Sequence, residues 1–167
     1  MSLTIRPVTS VDADELAELL NEIIRAGGTS ALQDEFTPEA LNEAYLTGPS
    51  VIFCFVAEDP TTGEFLGFQT LGHYPGLPEG WGNIATFARI GRAQRGVGSR
   101  LFFHTKLRAE ELGLKGLNAE IRADNTGGLA YYSRMGFEDF KVDEAVPLKD
   151  GTPVDRVHKR LALSLDE

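Results

Sequence analysis

Cysteine, histidine and long apolar runs are all scarce in this chain of 167 residues. The one cysteine, Cys54, cannot form an internal disulfide, and its place inside the apolar run VIFCFVA favours a buried structural thiol over a nucleophile. Cys54 and the three scattered histidines show no metal-ligand spacing, so we predict no metal site. No segment approaches the roughly 20 apolar residues that span a bilayer, and the N-terminus lacks the apolar core of a secretory signal. We therefore expect a reduced, cytoplasmic location.

Positive charge is also in short supply, with 16 lysines and arginines against 25 acidic residues and a net charge of −9 at pH 7. Such a field repels nucleic acids and anionic membranes, so we expect neither as a partner. The segment from Arg89 to Ala109 is an exception, because it carries six basic residues and no acidic one. We interpret it as a local anion site. The alternative is a solvated helix face on which the charges fall together by chance.

The length suits one compact domain over residues 1–167, with no linker and no internal repeat. The apolar periodicity predicts the order β-α-α-β-β-β-α-β-α-β-β. In this order, VIFCFVAE (51–58) and EFLGFQTLGHY (64–74) pair as a hairpin, and Asp12 caps the first helix with Glu15 three residues later. The fold class is therefore α/β, with a mixed, mostly antiparallel sheet of about seven strands and about four helices on its two faces.

The stretch RAQRGVGSRL (92–101) lies between a predicted strand and a predicted helix. Gly96 and Gly98 have no Cβ, so the backbone can curl tightly and an anion can approach the amides from about Gln94 to Ser99. These amides would lie near the helix N-terminus, where the helix dipole favours negative charge. The stretch is neither a P-loop nor a complete dinucleotide fingerprint. A purely structural tight turn would use the same glycines.

Two segments carry a resemblance to the GNAT superfamily of acyl-CoA-dependent N-acyltransferases. AQRGVG (93–98) is similar to the pyrophosphate loop of that family, Q/R-x-x-G-x-G/A, with Ala93 in place of the first Gln or Arg. IRADNTGGLAYYSRMGFEDF resembles the N-x-x-A-x-x-x-Y-x-x-x-GF region, with Asn125 and Tyr132 at the matching places. The resemblance covers nearly the whole chain. It is closest to the small bacterial amino-acid-type enzymes that include the phosphinothricin acetyltransferases.

This resemblance implies acetyl-CoA as the co-substrate, without a metal, and direct attack of an amine on the thioester. The carbonyl would be polarised by the backbone of the strand 81–90, and the leaving thiolate would take a proton from Tyr132, whose alternative role is a packed helix aromatic. Tyr131 should point away from Tyr132 by roughly 100°, so at most one of them faces the thioester. The residues implied in binding acetyl-CoA are Phe87, Ala88, Arg89, Gln94, Arg95, Gly96, Val97, Gly98, Ser99 and Asn125.

The general base and the acceptor site are less defined by the sequence. The strand NIATFARI has no carboxylate where many relatives carry a glutamate. We expect His73 to be the base first of all, with Glu120, or Asp34 or Glu35, as alternatives, although each is more often an ordinary surface group. Acidic side chains such as Glu35 could attract a cationic amine, and Arg89 or Arg122 could bind the carboxylate of an amino acid.

Several functions stay open at this point. The first is an N-acetyltransferase acting on a small amine or an amino-acid-like acceptor. The alternatives are an acetyltransferase of protein or peptide N-termini, and a non-catalytic acyl-CoA-binding module, which Ala93 and the missing strand carboxylate allow. A nucleotide-binding protein is disfavoured because no Gly-Lys-Ser/Thr follows the second glycine. A homodimer is suggested by the family resemblance alone.

Overall fold

The structure, a computed structural model, describes residues 3–91 and 96–163. A mixed seven-stranded sheet forms its centre, with the strand order β1-β2-β3-β4-β5-β7-β6. The strands are β1 (Thr4–Pro7), β2 (Val51–Glu58), β3 (Phe65–Gly72), β4 (Trp81–Ala88), β5 (Gly116–Arg122), β6 (Glu138–Pro147) and β7 (Pro153–Ala162). The helices are α1 (Ala13–Ala26), α2 (Pro38–Leu41, continued by a π-type turn over Asn42–Leu46), α3 (Val97–Glu111) and α4 (Thr126–Arg134). The predicted element order and fold class are confirmed.

The pairing changes direction once across the sheet. Strands β1 to β4 form an antiparallel meander, and β5, β7 and β6 form a second antiparallel group. The two groups meet where β4 and β5 run parallel, with α3 as the crossover between them. A parallel connection requires such a crossover, because the chain must return to the starting edge before the next strand begins.

Strands β4 and β5 separate before either of them ends. Residues Trp81–Ile84 pair with Gly116–Ala119, and within the described chain no backbone pairing joins the two strands beyond Ile84 and Ala119. The following residues, Ala85–Ala88 and 120–122, therefore border a gap in the middle of the sheet. This gap is the structural basis of the site described below.

The sheet is covered on both faces, as the continuous apolar run of β2 predicts. Cys54 and Val56 face α1 and α2, whereas Phe55 and Ala57 face the side on which α3 packs. The Cys54 thiol is buried, and this burial raises its pKa, which agrees with the expected structural role.

The start of the first helix agrees with the prediction in position but not in contact. Asp12 is the N-cap residue of α1, yet its side chain makes no capping hydrogen bond to that helix. A short 3₁₀ turn over Ser10–Asp12 precedes α1, and the Asp12 carboxylate accepts the amide of Thr9 (2.9 Å). The same carboxylate receives both terminal nitrogens of Arg6, at 2.9 and 3.0 Å. The Arg6 guanidinium, together with the amide of Thr9, lowers the pKa of Asp12. The Asp12 side chain therefore stabilises the 3₁₀ turn that precedes α1 rather than the first turn of α1 itself.

Replacing Asp12 with Asn should lower the free energy of unfolding by about 2 kcal/mol at pH 7, because Arg6 and Thr9 lose a charged acceptor. The folded-state pKa of Asp12 is lowered, so its stabilising effect is present above the unfolded pKa of about 4 and is lost as the pH falls below it. Urea unfolding should show a smaller difference from the wild type at pH 3 than at pH 7.

Asp14→Asn, which removes an exposed carboxylate from the first turn of α1, is the matched control for this prediction. It should change stability by less than about 0.5 kcal/mol. Equal losses in the two variants at pH 7 would contradict the role given to Asp12.

Candidate functional site

A cleft of about 700 Å³ opens where β4 and β5 separate. Its walls come from the end of β4 that does not pair with β5, the end of β5, the first turns of α3 and α4, and the loop residues 29–32. This is the usual position of a ligand site in a sheet that contains parallel strands, because the side chains and helix starts that follow those strands converge there.

The N-terminus of α3 faces this cleft because Gly96 turns the chain. Gly96 has φ +73° and ψ 23°, a left-handed conformation that a residue with a side chain rarely adopts, and it lies directly before Val97. Gly98 and Ser99 line the cleft from the first turn of the helix. The first amides of a helix have no partner within the helix and carry part of its positive dipole end. A helix start of this kind is suited to binding an anion.

The second glycine of the stretch has a packing reason besides the predicted approach of an anion, which stays a prediction. A Cβ on Gly98 would lie 2.7 Å from Cε1 of Tyr131, so the residue is small because a ring packs on it. Val97, predicted to bind the cofactor, does not line the cleft; its side chain is fully buried beside Leu101. Of the two glycines, Gly96 is therefore required by conformation and Gly98 by packing.

Four side chains form a hydrogen-bond network behind the cleft. Tyr131 donates its hydroxyl to the carbonyl of Gly98 (2.8 Å), and the Gln69 amide lies 3.0 Å from the Tyr131 oxygen and 2.9 Å from the Thr86 hydroxyl. Thr86 and Tyr132 are joined by a hydroxyl contact of 2.8 Å. Burial raises the pKa of Tyr131 to about 12 and raises the pKa of Tyr132 as well. Both tyrosines therefore carry their protons at neutral pH.

The side chains of Tyr131 and Tyr132 lie closer together than their adjacent helical positions suggested. Their rings meet edge to face, with centroids 4.9 Å apart, and both line the cleft. The expected divergence of adjacent helical side chains is wrong for the hydroxyl groups, because Gln69 and Thr86 connect them. Tyr132 is nine-tenths or more buried, so its hydroxyl is held rather than free to rotate.

Glu120 lies at the opposite end of the cleft from α3, at the end of β5. Its carboxylate accepts the Tyr74 hydroxyl and a terminal nitrogen of Arg156, each at 3.3 Å, and all three residues line the cleft. The negative charge of Glu120 is the main cause of a raised pKa at Tyr74. A carboxylate partly shielded from water in this position can attract an ammonium group or order a water molecule.

Arg122 and Asn125 hold the loop residues Thr29 and Ser30 at the edge of the cleft. Arg122 forms a two-point ion pair with Asp124, at 2.9 and 2.7 Å, and donates to the carbonyl of Ser30 at 3.1 Å. Asn125 caps α4 by accepting the amide of Gly128 and donates to the carbonyl of Thr29. Both residues line the cleft, but their charged or polar groups are engaged with protein atoms rather than open to a ligand.

Three predicted residues are not brought to the cleft by side chain. His73 is exposed just after β3 and does not line the cleft, although its amide bonds to Ser50. Glu35 pairs with Arg25 on the surface (2.8 Å), and its neighbour Asp34 pairs with Lys149. Arg89 donates to the carbonyl of Phe65 (2.7 Å) and lies near Glu64, away from the cleft.

The remaining predicted contacts divide into two groups. Phe87 and Ala88 lie on the part of β4 that does not pair with β5, and both line the cleft. Gln94 and Arg95 lie outside the described residues, so their predicted contacts stay predictions.

Sequence reasoning missed Gln69, Thr86, Arg156, Tyr74 and Arg134, all of which belong to the cleft or to the network behind it. For Gln69 and Thr86 a signal was present, since each is a polar residue inside an apolar strand run, FLGFQTLG and NIATFA. A polar side chain at such a position is buried and needs hydrogen-bond partners, so a pair of them predicts a network. Tyr74, Arg134 and Arg156 carry no such signal, because they are ordinary polar residues near element ends.

The described residues contain neither a metal-ligand cluster nor a helix suited to spanning a membrane. No group of three or more His, Cys, Asp or Glu side chains in residues 3–91 and 96–163 is arranged to hold a metal ion. In the same residues, no helix combines the length and the apolar character needed to cross a membrane.

Replacing Gly98 with Ala should destabilise the protein by about 1–3 kcal/mol, because the new methyl group overlaps the Tyr131 ring. In a Tyr131→Ala background the same change should be neutral or stabilising by up to about 1 kcal/mol, since Ala is the better helix former. Urea unfolding of the four proteins of this double-mutant cycle measures both values. A loss of the same size in both backgrounds would show that Tyr131 is not the cause.

Solved structures share this fold over almost the whole chain. A structure provisionally assigned as a phosphinothricin N-acetyltransferase has a TM-score of 0.84 and 24% identity, covering 98% of this chain and 99% of its own. A phosphinothricin acetyltransferase from Sinorhizobium meliloti, in complex with acetyl-CoA, has a TM-score of 0.83 and 17% identity, covering 98% and 90%. A ribosomal-protein-alanine N-acetyltransferase from Brucella melitensis has a TM-score of 0.80 and 19% identity, covering 96% and 99%.

A search of curated protein sequences finds no significant match. The sequence profile of the acetyltransferase (GNAT) family matches residues 14–137, which run from the first helix through the cleft to the start of β6. The predicted family is confirmed: this chain belongs to the acetyltransferase (GNAT) family.

Proposed function

We propose that this protein is an acetyl-CoA-dependent N-acetyltransferase that acts on a small, amino-acid-like amine. The observation that carries the proposal is the left-handed Gly96, which directs the first amides of α3 into the gap between β4 and β5. A helix start suited to a diphosphate thereby lies beside the β4 backbone that does not pair with β5, and the family membership of the chain supports the proposal.

The residues of the cleft fit acetyl-CoA. The backbone amides at Gly98 and Ser99 suit a diphosphate. Residues Ala85–Ala88 pair with β3 but not with β5. Their backbone groups that face the gap can bond to the amide groups of the pantetheine arm, in the manner of an added strand. A β4 amide close to the thioester would polarise its carbonyl. When bound, the thioester supplies an activated acetyl group and a leaving sulfur, and the structure determined of the Sinorhizobium meliloti neighbour contains acetyl-CoA.

The cleft then divides the chemical roles between its two ends. The acceptor nitrogen bonds to the carbonyl carbon, the carbon–sulfur bond breaks, and its electron pair leaves with sulfur. Tyr132 gives its hydroxyl proton to that sulfur and regains one from solvent after the products leave. Glu120 is the better-placed candidate for taking the proton of the amine, directly or through water, because it lines the cleft and His73 does not.

The acceptor end favours a small molecule over a polypeptide. Arg122 and Asn125 fix the loop residues Thr29 and Ser30 across one side of this end. Tyr74 and the Glu120–Arg156 pair form polar groups of both charges there, which suit an amine that also carries a carboxylate. Two of the similar structures are described as phosphinothricin acetyltransferases, which agrees with an amino-acid-like acceptor.

The remaining expectations about the protein stay predictions. They are a single domain over residues 1–167, a cytoplasmic location and a homodimer.

The direct test is release of free thiol from acetyl-CoA in the presence of candidate amines. The panel should contain amino acids, polyamines and peptides with an N-terminal alanine, since one similar structure is a ribosomal-protein-alanine N-acetyltransferase. We expect turnover with at least one small amino-acid-like amine and weaker turnover with peptides. Preference for peptides would replace the acceptor class, and tight acetyl-CoA binding with no thiol release across the panel would indicate a non-catalytic binding module.

Replacing Gly96 with Val should weaken coenzyme A binding at least tenfold, because a β-branched residue cannot hold the left-handed turn that aims the helix start at the cleft. Gly113→Val is the matched control. Gly113 has φ +77°, follows the other end of the same helix and, like Gly96, has open space around its Cβ position.

Isothermal titration calorimetry with coenzyme A should separate these two variants, with affinity in Gly113→Val within about twofold of the wild type. Both variants should lose similar thermal stability, since both strain one turn. Unchanged affinity in Gly96→Val would remove the phosphate site from the start of α3.

A further inference from the structure

Gln69 is an unusual residue for the centre of a sheet. It lies on β3, is fully buried, and among the described residues its side-chain oxygen has no hydrogen-bond partner. An unpaired buried amide oxygen costs free energy, so stability alone would favour an apolar side chain at this position. Its amide nitrogen, in contrast, touches two hydroxyl groups at once.

The orientation of the Gln69 amide follows from counting protons at Tyr131. The Gly98 carbonyl can only accept, so the single hydroxyl proton of Tyr131 is used in the 2.8 Å bond to that carbonyl. The Gln69 atom that faces the Tyr131 oxygen at 3.0 Å must therefore be a donor. This places the NH₂ group of Gln69, and not its oxygen, toward both hydroxyls.

The same count continues to Thr86 and Tyr132. The second proton of the Gln69 NH₂ group is donated to the Thr86 oxygen at 2.9 Å. The Thr86 hydroxyl also approaches Tyr131, but the Tyr131 oxygen already donates to Gly98 and accepts from Gln69. The Thr86 proton is therefore directed at the Tyr132 oxygen, 2.8 Å away. Tyr132 accepts this bond, so its own proton is not used within the network.

We propose that Gln69 and Thr86 are positioning residues that turn the hydroxyl proton of Tyr132 into the cleft, toward the leaving sulfur. The proposal rests on the proposed function, in which Tyr132 protonates that sulfur. Without Gln69, the Tyr131 oxygen is open to the Thr86 proton, so Thr86 can accept the Tyr132 proton instead of donating to Tyr132, and the donor is turned away from the cleft. Gln69 touches none of the reacting groups and acts through Thr86.

This arrangement also ties the proton donor to the anion site. The chain of hydrogen bonds begins at the carbonyl of Gly98, in the first turn of α3, and ends at Tyr132. The hydrogen bonds thus fix the position of Tyr132 relative to the first turn of α3.

The test uses the wild-type chain and four single variants, assayed with saturating acetyl-CoA and the best acceptor from the panel. Tyr132→Phe sets the size of the proton-donor effect, which we expect to be a fall in kcat of about 100-fold. Gln69→Met and Thr86→Val, both close in volume to the native residues, should lower kcat about tenfold or more and leave the KM for acetyl-CoA within about twofold. Thr86→Ser, which keeps the hydroxyl, should stay within about threefold of the wild type.

Two combinations separate positioning from packing. In a Tyr132→Phe background, Gln69→Met should cause no further loss of kcat, because the residue it positions is already absent. Thr86→Val should cost less in a Gln69→Met background than alone, since Gln69 acts through Thr86. A loss that persists undiminished in the Tyr132→Phe background would overturn the proposal, as would wild-type kcat in Gln69→Met and Thr86→Val.

A binding measurement at pH 9 gives a readout that needs no acceptor. Above the ordinary thiol pKa of about 8.5 a large share of coenzyme A is thiolate, so the wild type should bind coenzyme A more tightly than desulfo-coenzyme A. Tyr132→Phe, Gln69→Met and Thr86→Val should each reduce this preference, and Thr86→Ser should keep it. Should Gln69→Met not fold, the comparison of Thr86→Val with Thr86→Ser carries the test.

The two proposals fail in different ways. A wild-type protein that binds no coenzyme A overturns the proposed function and this inference with it. A wild type that binds coenzyme A and transfers acetyl groups, with a preference for the thiolate that the variants leave unchanged, overturns the inference alone.

Discussion

The separation of β4 from β5 is the constraint on which the rest of the site depends. Pairing ends at Ile84 and Ala119, and the backbone beyond is left with hydrogen-bonding groups that an ordinary sheet would satisfy internally. Such a gap is stable only if its sides are held from elsewhere. Here α3 and α4 pack across one face, while Arg122 and Asn125 fix the loop at the other end. The cleft is therefore a consequence of the topology rather than of any single residue.

Each end of the cleft uses a different part of the chain. At the start of α3 the contacts offered to a ligand are mainly backbone amides, which depend on one residue being able to adopt a left-handed turn. At the end of β5 they are side chains, led by the Glu120–Arg156 pair. This division matches a reaction in which the donor is common to a family and the acceptor varies, because side chains at one end can change while the backbone at the other stays the same.

This division also explains how much the sequence could predict. The element order and the glycine turn before α3 were predictable, since apolar periodicity and a glycine before a helix are local signals. The positions of Glu35, His73 and Arg89 outside the cleft lining were not, because a polar residue in a loop or just past a strand end carries no local signal of where its side chain turns. Arg122 was placed in the right region, but its ion pair with Asp124 depends on a turn that no periodicity reveals. The packing of the Tyr131 ring on Gly98 was not predictable, because that ring comes from 33 positions later in the chain.

The buried network shows why these long-range contacts matter for chemistry. A tyrosine can protonate a leaving sulfur only if its proton is not already committed, and burial alone would drive that hydroxyl to donate to the nearest acceptor. In this protein the Gln69 NH₂ group donates to both Tyr131 and Thr86, which leaves the Thr86 proton for the Tyr132 oxygen. The cost is an amide oxygen left without a partner inside the sheet. A residue that lowers stability while controlling the direction of a neighbouring proton is expected where function, rather than folding, has determined the side chain.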